Sequence, residues 1–161
     1  MRQALPKTAA KVGRRLDLDV SYASRSPWVP SARLLNRWAT AALPSAKPFA
    51  LSVLIVGSAR SRSLNARYRH KDKSTNVLSF AGAGTAPDGR FFLGELVICA
   101  PVVAREAHAQ EKTLAAHWAH MTVHGVLHLL GFDHERASEA RKMAAREVQI
   151  LDRLGFSDPY H

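Results

Sequence analysis

Four stretches of the chain have the apolar pattern of β-strands. Residues 16–22 alternate apolar and polar side chains, as a half-buried strand does. Residues 49–56 form a short, strongly apolar run between turn residues, which predicts a central strand. Residues 76–80 and 91–99 have a similar character, and the segment 82–89 between them predicts a loop because it holds glycine, proline and aspartate.

Apolar residues at three- and four-residue spacing predict helices between and after these strands. Ser31 is suited to cap a helix that runs through Ala42, and Thr113 is suited to cap a long, largely apolar helix. Further helices are predicted from Ser58 to about Tyr68, from Pro101 to about Ala109, and in a last segment that ends at Gly155.

This order of elements predicts one α/β (α+β) domain over residues 15–161. We expect a mixed sheet of about four strands with helices packed on it. Residues 1–14 mix basic residues with alanine and proline, without apolar periodicity, and are predicted to be a mobile basic arm.

Composition indicates the cellular compartment of this domain and the class of partner it attracts. The single cysteine, Cys99, lies in an apolar run, so no intramolecular disulfide is available, which is typical of a reducing compartment. No uninterrupted apolar stretch is long enough for a membrane span, so we expect a cytoplasmic protein without a membrane partner. The net charge is +10, and residues 1–73 hold the whole excess, with 15 Lys and Arg against 3 Asp and Glu. Such a one-sided positive charge attracts polyanions, chiefly nucleic acid or anionic lipid.

Three histidines carry the clearest chemical signal. His124 and His128 are four residues apart, which places both imidazoles on one face of the long helix. Gly131 is the residue type that ends a helix in a left-handed conformation, and His134 follows that stop. Three neutral imidazoles that converge favour a divalent metal, with zinc as the first choice and other divalent metals as alternatives. Three protein ligands leave a fourth position open, as catalytic zinc sites do. The metal site is thus expected at the end of a central helix.

The spacing resembles the zincin pattern H-E-x-x-H-x-x-G-x-x-H with one departure. Gly125 stands where the metalloproteases have their general base, which argues against a peptidase mechanism. Asp133 is a candidate to support a ligand from outside the metal shell, to act as a base, or to cap the next helix. His117 and His120 lie on the same helix and are interpreted as packing or surface residues, with a ligand-orienting role as the alternative.

Three segments of the chain resemble the YbeY family of bacterial rRNA maturation factors, described as zinc-dependent single-strand endoribonucleases. They are LNARYRHKDKSTNVLSF at 64–80, LGELVIC at 93–99, and AHMTVHGVLHLLGFDH at 119–134. The resemblance implies His124, His128 and His134 as zinc ligands and Arg69 as a functional arginine in the cleft. The guanidinium of Arg69 suits a phosphate oxygen. We therefore assign Arg69 to the catalytic site, together with the implied ligand His124.

The resemblance further implies that single-stranded RNA is the substrate and that a zinc-bound water hydrolyses it. Ribosomal RNA and the small ribosomal subunit are the implied partners, in rRNA maturation and ribosome quality control. Five further basic residues near Arg69 are candidates to follow the RNA backbone: Arg60, Arg62, Arg67, Lys71 and Lys73. Two alternatives stay open, namely a zinc-stabilised, ribosome-associated RNA-binding factor without catalysis, and a zinc peptidase.

Overall fold

A computed structural model describes residues 16–44 and 47–161, which form one mixed sheet with helices on it. The strands are β1 (Leu16–Tyr22), β2 (Phe49–Val56), β3 (Val77–Thr85) and β4 (Phe91–Cys99). The helices are α1 (Ala32–Ala41), α2 (Ser58–Arg69), α3 (Ala100–Ala109), α4 (Leu114–Leu129) and α5 (Ala137–Arg153). The sheet order is β1-β2-β4-β3, in which β1, β2 and β4 are parallel and β3 is antiparallel to β4. The predicted α/β fold with a four-stranded mixed sheet is therefore confirmed.

Alternating side chains of the two central strands enter two different apolar layers. On β2, Leu51, Val53 and Ile55 join the larger core, whereas Leu54 and Val56 join a smaller cluster. This division follows from the pleat, because successive side chains of a strand point to opposite faces. Leu64 of α2 packs against the smaller cluster, so α2 lies on the opposite face of the sheet from the main core.

Helix α4 is the centre of the larger core. It contacts α1, α3, α5, β3 and β4, and most of its residues from His117 to Leu127 are buried. Thr113 caps its first turn by accepting a hydrogen bond from the backbone N–H of Ala116, as predicted. A helix packed on nearly all sides needs apolar residues around its whole circumference. The histidines of α4 are therefore exceptions that need a structural or chemical reason.

The loop prediction for residues 82–89 was wrong in its first half, because β3 continues to Thr85. The reason is the close approach of two glycines across the hairpin. A Cβ at Gly82 would overlap the Phe92 carbonyl oxygen, and a Cβ at Gly94 would overlap the Phe80 carbonyl oxygen. The pairing shifts register between Ala81 and Gly84, so this part is a bulged strand. Glycines that indicate a loop in the sequence are here required by backbone contact.

The predicted basic arm, residues 1–14, lies outside the described residues. Within the described ranges, no helix combines the length and the apolar character that crossing a membrane requires.

Candidate metal centre

Helix α4 carries His124 and His128 toward its C-terminal end, and a tight reversal follows. Gly131 adopts a φ of 101°, and its N–H donates to the His128 carbonyl oxygen. The N–H of Phe132 donates to the Leu127 carbonyl oxygen, which completes a Schellman ending of the helix. The predicted helix stop at Gly131 is confirmed, and it turns the chain back toward the two helical imidazoles.

The reversal brings His134 beside both of them. Its ring centroid lies 5.9 Å from that of His124 and 5.7 Å from that of His128. Two imidazoles on one tetrahedral zinc have centroids roughly 5 Å apart, given a Zn–N distance of ~2.1 Å. The three predicted ligands therefore lie together, with separations slightly larger than those of a closed metal shell.

The three histidine rings are slightly farther apart than the ligands of a bound metal ion would be. No group of three or more His, Cys, Asp or Glu among the described residues is arranged to hold a metal ion as it stands. The residue chemistry nevertheless fits one. Burial lowers the pKa of His128, with nearby positive charges that include Arg69 acting in the same direction. A neutral imidazole is the form that binds a metal, so this environment suits a ligand.

Gly125 lies on a side of α4 that has no room for a larger residue. A Cβ built there would lie 2.7 Å from Leu96 Cδ2, and Leu96 is a fully buried residue of β4. A glutamate at this position would be driven into the sheet. The departure from the zincin pattern thus has a packing reason, and the position of the metalloprotease base is closed in this fold.

A buried carboxylate holds the other side of the His124 ring. Glu147 of α5 accepts from His124 Nδ1 at 2.6 Å through Oε1 and contacts His120 Nε2 at 2.7 Å through Oε2. The Tyr160 hydroxyl also donates to Oε2. Burial raises the pKa of Glu147, but the hydrogen bonds from His120, His124 and Tyr160 outweigh it and bring the pKa to about 2. The carboxylate is therefore ionised.

Sequence reasoning missed Glu147, although a signal was present. Met143, Glu147 and Leu151 follow one another at four-residue spacing on α5, and all three are buried. An acidic residue in an apolar helical stripe needs a partner inside the protein. His120, interpreted from the sequence as a packing or surface residue, is buried and belongs to this network.

His117 forms a separate pair farther up the same helix. Its Nε2 lies 3.0 Å from Glu106 Oε1, and Asn76 Nδ2 donates to both oxygens of the same carboxylate. Asn76 also accepts from the N–H of Val77 through its side chain. This cluster ties α3 and α4 to the start of β3, so we assign His117 a structural role.

Arg69 is the last residue of α2, and polar contacts hold the segment that follows it. His70 turns into the left-handed region with a φ of 58°, which ends the helix. The Ser61 hydroxyl donates to the Thr75 carbonyl oxygen, and Asn65 Nδ2 donates to the Lys73 carbonyl oxygen at 2.8 Å. Arg69 itself is exposed and makes no ion pair within the described ranges. Its charge acts on His128, so the predicted arginine and the predicted ligands share one region.

The other predicted basic residues are all exposed on α2 or just after it, as the burial of Arg60, Arg62, Arg67, Lys71 and Lys73 shows. Arg62 forms a two-pronged pair with Asp72, with N–O distances of 2.8 and 3.0 Å. The Arg67 guanidinium carbon lies 5.4 Å from the centre of the Tyr68 ring, which is 53% exposed. Asp133 accepts from the backbone N–H groups of His134 and Glu135, so its carboxylate shapes the loop that carries His134.

The chain matches a known protein family over most of its length. Residues 29–155 match the family described as Endoribonuclease YbeY. The protein is thus an endoribonuclease, a hydrolase that acts on RNA. It belongs to the YbeY family, whose role lies in the maturation of ribosomal RNA.

A solved structure has a similar fold. The solution structure of TM1509 from Thermotoga maritima is similar over 86% of this chain and 92% of that chain, with 18% sequence identity and a TM-score of 0.53. At this identity the likeness supports the fold alone.

Proposed function

We propose that this protein is a single-strand-specific, metal-dependent endoribonuclease in which His124, His128 and His134 hold one zinc ion. The observation that carries the proposal is the meeting of three imidazoles at the end of α4, with an exposed arginine in the same region. When bound, a zinc ion lowers the pKa of coordinated water and polarises a phosphoryl oxygen.

Arg69 has the chemistry to hold the scissile phosphate. Its guanidinium is always charged and offers a planar fork that matches two phosphate oxygens. The α2 ending and the hydrogen-bonded segment that follows it fix the backbone on both sides of this residue, which leaves its exposed side chain at the end of the helix. Arg69 is therefore proposed to stabilise the negative charge that develops on the phosphate.

The exposed face of α2 supports single-stranded RNA as the substrate. Four exposed cations without a described ion pair lie on α2 or just after it, namely Arg60, Arg67, Lys71 and Lys73. The guanidinium of Arg67 lies over the exposed ring of Tyr68. Cations follow a phosphate backbone, and an exposed aromatic ring stacks on an unpaired base. Bases of a duplex are already stacked, so this combination favours single strands.

We further propose ribosomal RNA in the small ribosomal subunit as the target, cytoplasmic action, and a part in ribosome quality control. The family role and the basic N-terminal half of the chain support this. We also propose that 15–161 act as one catalytic domain. The crowding at Gly125 speaks against a peptidase, since its base has no place there.

The test is cleavage of a labelled single-stranded RNA by the purified full-length protein. Activity should disappear after chelation, return with zinc, and be weak on the matched duplex. His128→Ala should lose stoichiometric zinc and cleavage, whereas His108→Ala, which removes an exposed histidine of α3, should retain both. Zinc-independent cleavage would overturn the metal assignment. A zinc-loaded protein that binds RNA without cutting it would favour an RNA-binding factor.

A further inference from the structure

Glu147 is the central residue of a buried hydrogen-bond network that adjoins the candidate metal centre. It is 1% exposed, and its two oxygens contact three side chains, two on α4 and one near the C-terminal end of the described chain. Oε1 is bonded to His124, whereas Oε2 is bonded to both His120 and Tyr160. A buried carboxylate with this many partners is restricted in both position and rotation.

The geometry of the contacts decides the direction of the bond between Glu147 and His124. Glu147 Oε2 accepts from the Tyr160 hydroxyl, and Oε1 lies 2.6 Å from Nδ1 of His124. A carboxylate oxygen accepts, so Nδ1 of His124 donates. The proton of a neutral His124 ring then resides on Nδ1, and Nε2 keeps its lone pair. The His124 side chain is 28% exposed, whereas the Glu147 side chain is buried from solvent.

We propose that Glu147 is a positioning residue that fixes His124 as the Nδ1–H tautomer and aims Nε2 at the metal, with His120 and Tyr160 holding the carboxylate in place. This inference rests on the metal assignment proposed above. Carboxylates behind metal-binding histidines fix the ring and raise its basicity. Tyr160 lies beyond residue 155, where the family match ends, so the C-terminal segment takes part in the site.

The same helix offers an internal control. Glu106 and His117 form a second carboxylate–imidazole pair, with an Oε1–Nε2 distance of 3.0 Å. His117 is 2% exposed, and its buried Nδ1 has no hydrogen-bond partner in the described part of the chain. Neither residue is a proposed ligand, and neither belongs to the described hydrogen bonds of Glu147, so loss of this pair should affect stability without affecting metal affinity.

The experiment measures zinc affinity of the full-length protein by competition with a chelator, without RNA. Glu147→Gln should bind zinc roughly 10- to 100-fold more weakly than the parent protein. Tyr160→Phe should show a smaller loss in the same direction. Glu106→Gln should keep the parent affinity, and so should Tyr22→Phe, which removes a tyrosine hydroxyl bonded to the Pro30 carbonyl oxygen.

A second readout needs neither metal nor substrate. The imidazole nitrogen chemical shifts of the metal-free protein report which nitrogen of His124 carries the proton. The parent should show the Nδ1–H form, and Glu147→Gln should shift the ring toward the Nε2–H form. Should Glu147→Gln fail to fold, Tyr160→Phe decides the question, because its ring is 53% exposed and only the hydroxyl is removed.

The outcomes separate this inference from the proposed function. Parent zinc affinity and an unchanged tautomer in the variants would overturn the positioning role, and so would equal weakening in Glu147→Gln and Glu106→Gln. A parent protein that binds no zinc would overturn both proposals. Weakened zinc binding in Glu147→Gln beside a parent that cleaves no RNA would support the positioning role and overturn the nuclease proposal.

Discussion

Helices α4 and α2 both end at the candidate site, but they are held in opposite ways. Most of α4 is buried among apolar neighbours, and His124, one of its two proposed ligands, is backed by a buried carboxylate. Only Ser61 and Asn65 of α2 are buried, and both bond the segment that follows the helix. Packing therefore holds α4 and its histidines, whereas a few polar contacts hold the segment that follows Arg69. Changes on the two helices should have different consequences.

The largest effect is expected from a residue that breaks the packing of α4. Gly125→Glu would place a charged side chain against buried Leu96 and should cost more than about 3 kcal/mol of unfolding free energy. Gly57→Ser, at the N-cap of α2, is the matched control, since nothing lies within 4 Å of a Cβ built there and serine is a good capping residue. Denaturant unfolding of both variants measures the difference. Equal stability of the two would refute the packing argument for Gly125.

On α2, a change at the exposed end should affect chemistry and leave the fold alone. Arg69→Ala should lower the rate of RNA cleavage on the order of 10²–10³-fold, the usual loss for one oriented donor at an electrostatic site. Zinc content and melting temperature should stay at the parent values because the side chain is exposed. Arg69→Lys should recover only part of the rate, since a point charge lacks the planar fork. Parent rates in Arg69→Ala at equal zinc loading would disprove the role.

The polar contacts of α2 should be the weak point of its attachment. Asn65→Ala removes the donor to the Lys73 carbonyl oxygen at a buried position, and should cost about 1–3 kcal/mol of unfolding free energy. Cleavage should slow as well, because the segment behind Arg69 loses its support. Ser63→Ala, an exposed change on the same helix, serves as the control for thermal unfolding and kinetics. A harmless Asn65→Ala would show that the apolar contacts of α2 suffice.

The pH dependence of the unfolding free energy should distinguish the buried surroundings of α4 from the exposed surface of α2, with a smaller effect. Burial raises the pKa of Glu106, but hydrogen bonds from His117 and Asn76 outweigh it and leave the pKa below its ordinary value of 4.5. Its stabilising contribution is therefore complete above pH 4.5 and is lost as the pH falls through the lowered pKa. Glu106→Gln should flatten the fall in unfolding free energy below pH 4.5. Asp72→Asn should change it much less, because the Arg62–Asp72 pair is exposed to solvent.

The smallest expected effect concerns single cations near the end of α2. Lys71→Ala should weaken RNA binding and reduce the slope of log affinity against log salt by ~0.7, the value for one phosphate contact on a single strand. Arg33→Ala, which removes an exposed charge of α1, should leave the slope unchanged. Filter binding at several salt concentrations measures both slopes. Identical slopes in the two variants would place the RNA path away from Lys71.

Much of the architecture was accessible from local sequence patterns. The four strands, the caps at Ser31 and Thr113 and the stop at Gly131 were predicted because each depends on neighbouring residues in the chain. The three histidines belong to the same class, since helical spacing and one reversal bring them together. Arg69 needed the family resemblance, because an exposed arginine has no distinctive local pattern.

The remaining features depend on contacts between residues far apart in the chain. Gly82 belongs to a strand only because Phe92 approaches its backbone, and Gly125 is required only because Leu96 packs against it. Glu147 is 23 residues from His124 and meets it only once α5 packs on α4. Sequence periodicity reports which face of an element is apolar, but it does not say which face of another element will meet it. The ligand candidates were therefore determined by the sequence, and the groups that hold them were decided by the tertiary structure.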